Sequence, residues 1–282
     1  MVYEKIDLYK YFGIKRKKGA AGYLTAYAMD NSPELSMARK RPAMLVIPGG
    51  AYMIVSDREK EPVAIKFMSM GYSAFTLEYS VKTLSFPTQL IEACMAVAYI
   101  RQNAEKYAVD VEHVCAVGFS AGGHLTGMLA TLYDDEAVKL ALKEASSLTR
   151  PDAVILSYPV ITSCPEYWHE TTIMTISGGK KSLINKLSLE KRVNKNSAPA
   201  FIWHTKEDGA VPVQNSLFMA LAYAEHGVPF ELHVFERGVH GLSLANEETS
   251  SGNRNELRIK NVAVWVDLAN NWLTSRGFKI ID

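Results

Sequence analysis

The sequence has few cysteines, no excess of charge and no cluster of metal-binding residues. Its three cysteines show no Cys-x-x-Cys spacing, so we expect reduced thiols and no disulfide framework. The 31 basic and 30 acidic residues give a net charge of +1, which excludes electrostatic affinity for nucleic acid or anionic membrane. No histidine–carboxylate group has metal-ligand spacing. We therefore predict neither a metal nor another cofactor.

Long apolar segments and repeats are also missing. No uninterrupted apolar run approaches the length of a membrane span, and residues 1–7 are charged, without the apolar core of a signal peptide. We see no internal repeat and no low-complexity segment. These absences predict a cytoplasmic protein whose partner is a small molecule and not a membrane or a nucleic acid, and they leave a homo-oligomer open.

What the sequence does have is a regular alternation of apolar strands and helices. This order predicts the α/β class, with a mostly parallel central sheet and helices on both faces. The hydrophobic content of 48% suffices for a large core, and we predict one domain over residues 1–282. The predicted strands are 23–29 (an edge strand), 44–47, 73–79, 114–118, 153–157, 201–204 and 231–235. The predicted helices are 61–70, 89–107, 121–132, 215–226 and 255–275.

One long stretch interrupts the alternation. Nearly forty residues, 160–199, separate two strands, which is longer than a simple connection. We predict that they form a short cap insertion over a binding site, with Tyr167, Trp168, His169 and Met174 as candidates for its inner surface. Packing within the cap is an equally good explanation for Trp168.

The most informative motif is the Gly-x-Ser-x-Gly centred on Ser120. A β-branched run leads into Gly118, and a helix-forming stretch follows Gly122. A strand that turns directly into a helix needs small residues on both sides of the turn, and the serine at its apex is then exposed in a strained conformation. This arrangement predicts a nucleophile elbow.

A serine nucleophile needs a base, and the base needs an acid that orients it. Among the histidines downstream, His240 lies in a glycine-containing loop after the last predicted strand, so we predict that it is the base; the alternative is a loop histidine that caps the next helix. Asp208 lies after the preceding strand and is the predicted acid. Its neighbour Glu207 is the competitor, and an Asx-turn or cap is the structural alternative for Asp208.

The oxyanion hole is predicted in the loop after the strand 44–47. Pro48-Gly49-Gly50-Ala51 follows this strand, and small residues let backbone amides approach a developing oxyanion. Gly50 and Ala51 are the candidates, together with Ala121 after the nucleophile. An ordinary turn at the end of a strand is the alternative.

Together these segments resemble the small single-domain α/β-hydrolase esterases, in particular the bacterial acetylesterase and acetyl-xylan-esterase-like group. The resemblance covers nearly the whole chain and rests on the stretches IPGGAY (47–52), REKEPVAIKFMSMGYSAFTLEYSV (58–81), VGFSAGGHLTG (117–127), SLEKRVNKNSAPAFIWHTKEDGAVPVQNS (188–216) and GVHGLSLA (238–245). It implies the α/β-hydrolase fold and the roles proposed above for the triad and the oxyanion hole. Pro48 replaces the histidine of the wider family's His-Gly-Gly-Gly motif, and Phe119 replaces the aspartate of its Gly-Asp-Ser-Ala-Gly-Gly elbow.

The resemblance implies a serine esterase that removes acetyl groups from a small sugar or xylo-oligosaccharide through an acyl-enzyme. Tyr52, Phe119 and Trp168 are the predicted substrate contacts, and the two rings beside the elbow and the oxyanion loop are expected to restrict the acyl group. Two alternatives stay open. One is a serine peptidase of the prolyl-oligopeptidase type, although this chain has no room for the propeller of those enzymes. The other is a non-catalytic binding protein with the same fold, although such proteins typically lack a triad member and none is missing here.

Overall fold

The central feature of the protein is one eight-stranded sheet. The computed structural model describes residues 1–250, 252 and 254–282. The strands are β1 (Val2–Asp7), β2 (Tyr23–Ala28), β3 (Arg41–Ile47), β4 (Ser73–Glu78), β5 (Val109–Phe119), β6 (Ala153–Ser157), β7 (Ala200–Thr205) and β8 (Phe230–Phe235). Their order is β1-β2-β4-β3-β5-β6-β7-β8, and every pair from β4 to β8 is parallel, whereas β2 is antiparallel to both β1 and β4. The α/β class and the mostly parallel sheet are confirmed.

The helices follow the strands in the expected alternation. They are α1 (Leu8–Tyr11), α2 (Glu61–Ser69), α3 (Thr88–Gln102), α4 (Ala121–Leu132), α5 (Glu136–Leu142), α6 (Glu170–Ser177), α7 (Lys181–Lys186), α8 (Gln214–Glu225), α9 (Lys260–Ala263) and α10 (Trp265–Ser275). Short 3₁₀ helices cover Pro33–Leu35, Asp57–Glu59, Lys143–Leu148, Leu189–Lys191 and Asn255–Leu257. None of the helices in the described residues is long and apolar enough to cross a membrane.

Both faces of the sheet are buried. Along β3, Leu45 and Ile47 point into one core, whereas Met44 and Val46 point into the other. Side chains of a strand alternate between the two faces, so an uninterrupted apolar strand must be covered on both sides. Cys94 and Cys115 are buried, and the three cysteines are unpaired in the structure.

The helix predicted over 89–107 ends at Gln102, α1 and α5 were not predicted, and two further differences concern the sheet edge and the last helix. The strand beginning at Tyr23 is not the edge, because β1, which sequence analysis missed, pairs with it from Val2↔Ala28 to Asp7↔Tyr23. The single helix predicted over 255–275 is instead a 3₁₀ turn followed by α9 and α10. Its interruption lies at Ile259, whose backbone is extended and whose amide donates to the Ala245 carbonyl at 3.1 Å. A tertiary hydrogen bond replaces the helical one at this residue.

Candidate active site

The turn between β5 and α4 has the tight geometry that the Gly-x-Ser-x-Gly motif predicts. Ser120 has φ 54° and ψ −117°, a conformation that a non-glycine residue adopts at a cost. A Cβ on Gly118 would lie 2.1 Å from Thr126 Oγ1, and a Cβ on Gly122 would lie 2.2 Å from the Ile47 carbonyl oxygen. Both positions therefore require glycine, and the turn presents Ser120 at the carboxyl end of the parallel strands.

Ser120, His240 and Asp208 form one line of hydrogen bonds. His240 Nε2 lies 2.8 Å from Ser120 Oγ, and His240 Nδ1 lies 2.7 Å from Asp208 Oδ2. The other oxygen, Asp208 Oδ1, accepts the backbone amides of Ala210 and Val211, each at 2.9 Å. Because a carboxylate can only accept, Nδ1 of His240 carries a proton and Nε2 is free to accept the proton of the serine.

The environment keeps Asp208 ionised. Burial by itself would raise the pKa of this carboxyl group, but the hydrogen bonds from His204 and His240, with that from the Val211 amide, hold the pKa well below its usual range. Glu207, the competing acid, is exposed on the surface, and its carboxylate contacts the Gly238 amide at 3.4 Å. The structure thus brings Asp208, and not Glu207, to the imidazole.

The loop after β3 presents backbone amides beside Ser120. Gly50 has φ 126° and Ala51 has φ 54°, and both line the same cleft as Ser120 and His240. Within the described part of the chain, the Gly50 and Ala51 amides have no hydrogen-bond acceptor. The amide of Ala121 belongs to the first turn of α4, where a helix leaves its N–H groups unpaired. The three amides of the predicted hole therefore lie at the elbow or in the loop that faces it.

A buried carboxylate that sequence analysis missed holds this loop in place. Glu59, 4% exposed, accepts the Gly49 amide at 2.8 Å and the Tyr158 hydroxyl at 2.6 Å. Tyr158 in turn accepts the Ser243 amide at 2.8 Å, and its ring packs edge-on against the ring of His240 at 5.1 Å. Through Tyr158, Glu59 therefore connects the loop after β3, which contains Gly49, to the loop that carries His240 and Ser243. In the sequence it lies in a run of charged residues, which is typical of a solvated surface, so no local signal distinguished it.

The cleft around Ser120 has a volume of about 420 Å³. Its walls combine apolar side chains with a few polar groups, and the lining residues are Gly50, Ala51, Met53, Ile54, Ser56, Glu59, Ser120, His169, His240 and Gly241. His169 is the one residue of the insertion among them. Burial lowers the pKa of His169, and the neighbouring His240 lowers it further. The predicted candidates Tyr167 and Met174 do not line the cleft.

The predicted substrate contacts at Tyr52 and Phe119 are wrong. Both side chains are fully buried. Tyr52 has φ 57°, which turns its side chain inward, where its hydroxyl contacts His124 Nδ1 at 3.0 Å. Phe119 ends β5 and points into the core, against the rings of Tyr158 and Trp265. An aromatic wall at the acyl site, which these two residues were expected to form, is therefore absent from the cleft.

Trp168 also lies outside the cleft lining. It packs against the small apolar cluster of Val160, Ile173 and Val211, so packing within the insertion is what the structure shows for this ring. A buried histidine on α4 also contacts the insertion. His124 on α4 has one ring nitrogen against Tyr52 and the other 3.0 Å from the Leu187 carbonyl.

Comparison with known proteins gives consistent matches. The BD-FAE family model matches residues 32–222. Endo-1,4-beta-xylanase B of Butyrivibrio fibrisolvens is 44% identical over 220 residues, which are 76% of this chain and 34% of that protein. The chain spans about a third to a half of the length of the first curated relatives that it matches.

Solved structures match over almost their full length. The acetyl ester-xyloside bifunctional hydrolase from Caldicellulosiruptor lactoaceticus is 34% identical, with a TM-score of 0.77 over 91% of this chain and 89% of that one. The carboxylesterase Cest-2923 from Lactobacillus plantarum is 28% identical, with a TM-score of 0.82 and 99% of both chains covered.

Proposed function

Because this chain belongs to the BD-FAE family and has the α/β-hydrolase fold, we propose that it is a serine carboxylic ester hydrolase that deacetylates small acetylated sugars or xylo-oligosaccharides. One observation carries the proposal of serine catalysis. Ser120 Oγ, His240 and Asp208 are joined by hydrogen bonds of 2.8 and 2.7 Å, beside backbone amides that have no acceptor in the described chain. This is the arrangement that acyl transfer requires.

In the proposed reaction, Ser120 Oγ attacks the ester carbonyl while His240 Nε2 takes the serine proton. The carbonyl oxygen becomes an oxyanion, and the amides of Gly50, Ala51 and Ala121 stabilise its charge. Asp208 keeps the Nδ1 proton in place and stabilises the imidazolium that forms. The imidazolium then gives its proton to the departing alcohol, which leaves an acyl-serine.

The second half of the reaction repeats these steps with water. His240 takes a proton from a water molecule, the hydroxide attacks the acyl-serine, and the proton returns to Ser120 Oγ as the acid leaves. The transfer between Ser120 Oγ and His240 Nε2 uses groups that are already 2.8 Å apart. The proposed chemistry needs no metal or other cofactor.

The sugar-ester specificity rests on two supports. The relative from Caldicellulosiruptor is named for an acetyl ester-xyloside activity, and it covers nearly all of this chain. The cleft also contains polar side chains, Ser56, Glu59 and His169, beside its apolar walls. A cleft of this mixed character suits a short acyl group on a hydroxylated alcohol better than a long acyl chain. We also propose a cytoplasmic location, since the cysteines are free thiols.

Ser120→Ala tests the catalytic assignment. We expect a folded protein that has lost ester hydrolysis by several orders of magnitude and is no longer labelled by a fluorophosphonate. If the variant kept more than about a tenth of wild-type activity, the barrier would have changed by less than roughly 1.4 kcal/mol and Ser120 would not be the nucleophile. A wild-type protein that takes up no label would favour a non-catalytic binding protein.

The substrate class requires a separate measurement. We expect acetylated xylo-oligosaccharides and simple acetyl sugars to be hydrolysed, with kcat/KM falling along p-nitrophenyl esters from two to eight carbons. Equal or better hydrolysis of the octanoate would replace the sugar acetylesterase with a general carboxylesterase. Faster cleavage of a peptide amide than of p-nitrophenyl acetate would instead favour a serine peptidase.

A further inference from the structure

A second histidine contacts the acid of the triad. His204 on β7 is fully buried, and its Nε2 lies 3.3 Å from Asp208 Oδ2, the same oxygen that His240 Nδ1 contacts at 2.7 Å. The mechanism proposed above gives His204 no role. Its neighbours Ile202 and Trp203 on the strand are the apolar residues expected inside a sheet, so a buried imidazole at this position stands out.

The contacts of the ring fix where its proton lies. His204 Nε2 is 2.9 Å from the Val211 carbonyl oxygen, which can only accept, so Nε2 carries the hydrogen. The N–H donates to the Val211 carbonyl, and the same Nε2 lies 3.3 Å from Asp208 Oδ2. Nδ1 of the neutral ring then accepts the hydroxyl hydrogen of Ser216, whose Oγ lies 2.7 Å away on α8 and is fully buried. The Val211 carbonyl thus selects the tautomer, and the Ser216 hydroxyl, which can donate or accept, satisfies the other ring nitrogen.

These contacts extend the triad at its far end. From Ser216 the contacts run through His204 to Asp208, and from there through His240 to Ser120. A nitrogen of each of two imidazoles thus lies within 3.3 Å of one carboxylate oxygen.

We propose that His204, held by Ser216, is a positioning residue that keeps Oδ2 of Asp208 directed at His240 and shares its negative charge. The inference rests on the proposed function, because it assigns His204 a role through the acid of that triad. Two backbone amides already hold Oδ1, and Nε2 of His204 lies 3.3 Å from Oδ2 on the core side. Rotation of the carboxyl group away from His240 would leave this buried N–H with one acceptor fewer. The other titratable groups that face Asp208 and His240 are His169 on the insertion and Tyr158, whose ring packs against His240 and whose hydroxyl donates to Glu59.

Three variants test the proposal: His204→Phe, which removes the donor, His204→Gln, whose amide nitrogen can replace Nε2, and Ser216→Ala. With p-nitrophenyl acetate, we expect His204→Phe to lower kcat roughly ten- to a hundredfold, the range for loss of a hydrogen bond to a charged group, with KM within about twofold. The acid limb of its kcat/KM profile should move, because the charge on Asp208 that faces His240 has changed. His204→Gln should restore most of kcat and the acid limb. His233→Gln on β8, whose ring contacts Glu231 and Phe201, is the matched control and should behave as wild type.

Each outcome decides for or against the positioning role. A folded His204→Phe with wild-type kcat and an unmoved acid limb would overturn it, and so would equal losses in the Phe and Gln variants. If His204→Phe does not fold, Ser216→Ala decides: a severalfold loss of kcat at unchanged KM supports the proposal, and wild-type kcat overturns it. If the Ser120→Ala variant hydrolysed esters at the wild-type rate, the proposed function would be refuted instead. Failure of the positioning role and failure of the proposed function are therefore distinguishable.

Discussion

Replacing Asp208 by asparagine tests the geometry of the site most directly. The substitution keeps the size and shape of the side chain, and its carbonyl oxygen can still accept the amides of Ala210 and Val211. The new NH₂ group then faces His240 Nδ1, which must accept instead of donate. The imidazole is forced into the tautomer with its proton on Nε2, where it can no longer take the proton of Ser120.

The size of the effect follows from this change of tautomer. The same substitution in a Ser-His-Asp triad of unrelated fold lowers kcat about 10⁴-fold, which corresponds to roughly 5.5 kcal/mol of activation free energy. The 2.7 Å contact between Asp208 and His240 is as short here as a charge-assisted hydrogen bond should be, so we expect a loss of this order. KM should change little, because Asp208 does not line the cleft.

Glu207→Gln is the matched control one residue away. Its carboxylate is exposed and makes only a 3.4 Å contact with the Gly238 amide, so kcat should stay within about twofold of wild type. Initial rates with p-nitrophenyl acetate, together with thermal unfolding of both variants, provide the measurement. If the two variants behaved the other way round, or if folded Asp208→Asn kept a tenth of the wild-type kcat, the assignment of Asp208 would be refuted.

Three further predictions concern the groups that support the site. Burial lowers the pKa of His124 to about 4, so between pH 6.5 and 4 the unfolded chain binds the proton and the folded chain does not. The free energy of unfolding should therefore fall by on the order of 3 kcal/mol as the pH is lowered through this window. Urea titrations of His124→Gln at a series of pH values should lack this part of the pH dependence. In Glu59→Gln the new NH₂ group must face either the Gly49 amide or the Tyr158 hydroxyl, both of which donate to Glu59. We therefore expect kcat to fall about tenfold with the fold retained. An unchanged kcat would show that the Gly49 contact does not position the oxyanion loop. A Cβ on Gly122 would overlap two backbone oxygens at 2.2 and 2.3 Å, so Gly122→Ala should lower the melting temperature sharply or prevent folding. Gly209→Ala is the control, because a Cβ there would have nothing within 4 Å, and it should melt as wild type does. Equal melting temperatures of the two variants would contradict the packing described at the elbow.

The sequence by itself was sufficient to select the three residues that hydrogen bonds join in the structure, Ser120, His240 and Asp208. Ser120 is marked by glycines that a strand-to-helix turn requires, and this requirement is local. Asp208 and His240 follow from chain order, because parallel strands end at one edge of the sheet and the loops after them meet there. The alternation of apolar segments predicted the sheet for the same reason: burial of both faces dictates apolar strands wherever they lie in the chain.

Side-chain direction was decided only by the tertiary structure. Tyr52 and Phe119 are adjacent in sequence to site residues, but a left-handed backbone turns one inward and the end of a strand directs the other into the core. Sequence neighbours of a nucleophile are thus not its neighbours in space. The edge strand β1 was missed because three of its six residues are charged and none of them is fully buried.

The supporting groups of the site also emerge only from the fold. Glu59 accepts a hydrogen bond from Tyr158, which lies 99 positions away in the sequence, and no sequence motif around either residue predicts this contact. The sequence indicates only that His204 belongs to a buried strand. In the structure, the turn after β7 places Asp208 next to its ring. Reactive residues leave a local signature because their backbone is constrained, whereas the groups that orient them need only a favourable position in space, and many sequences can provide that position.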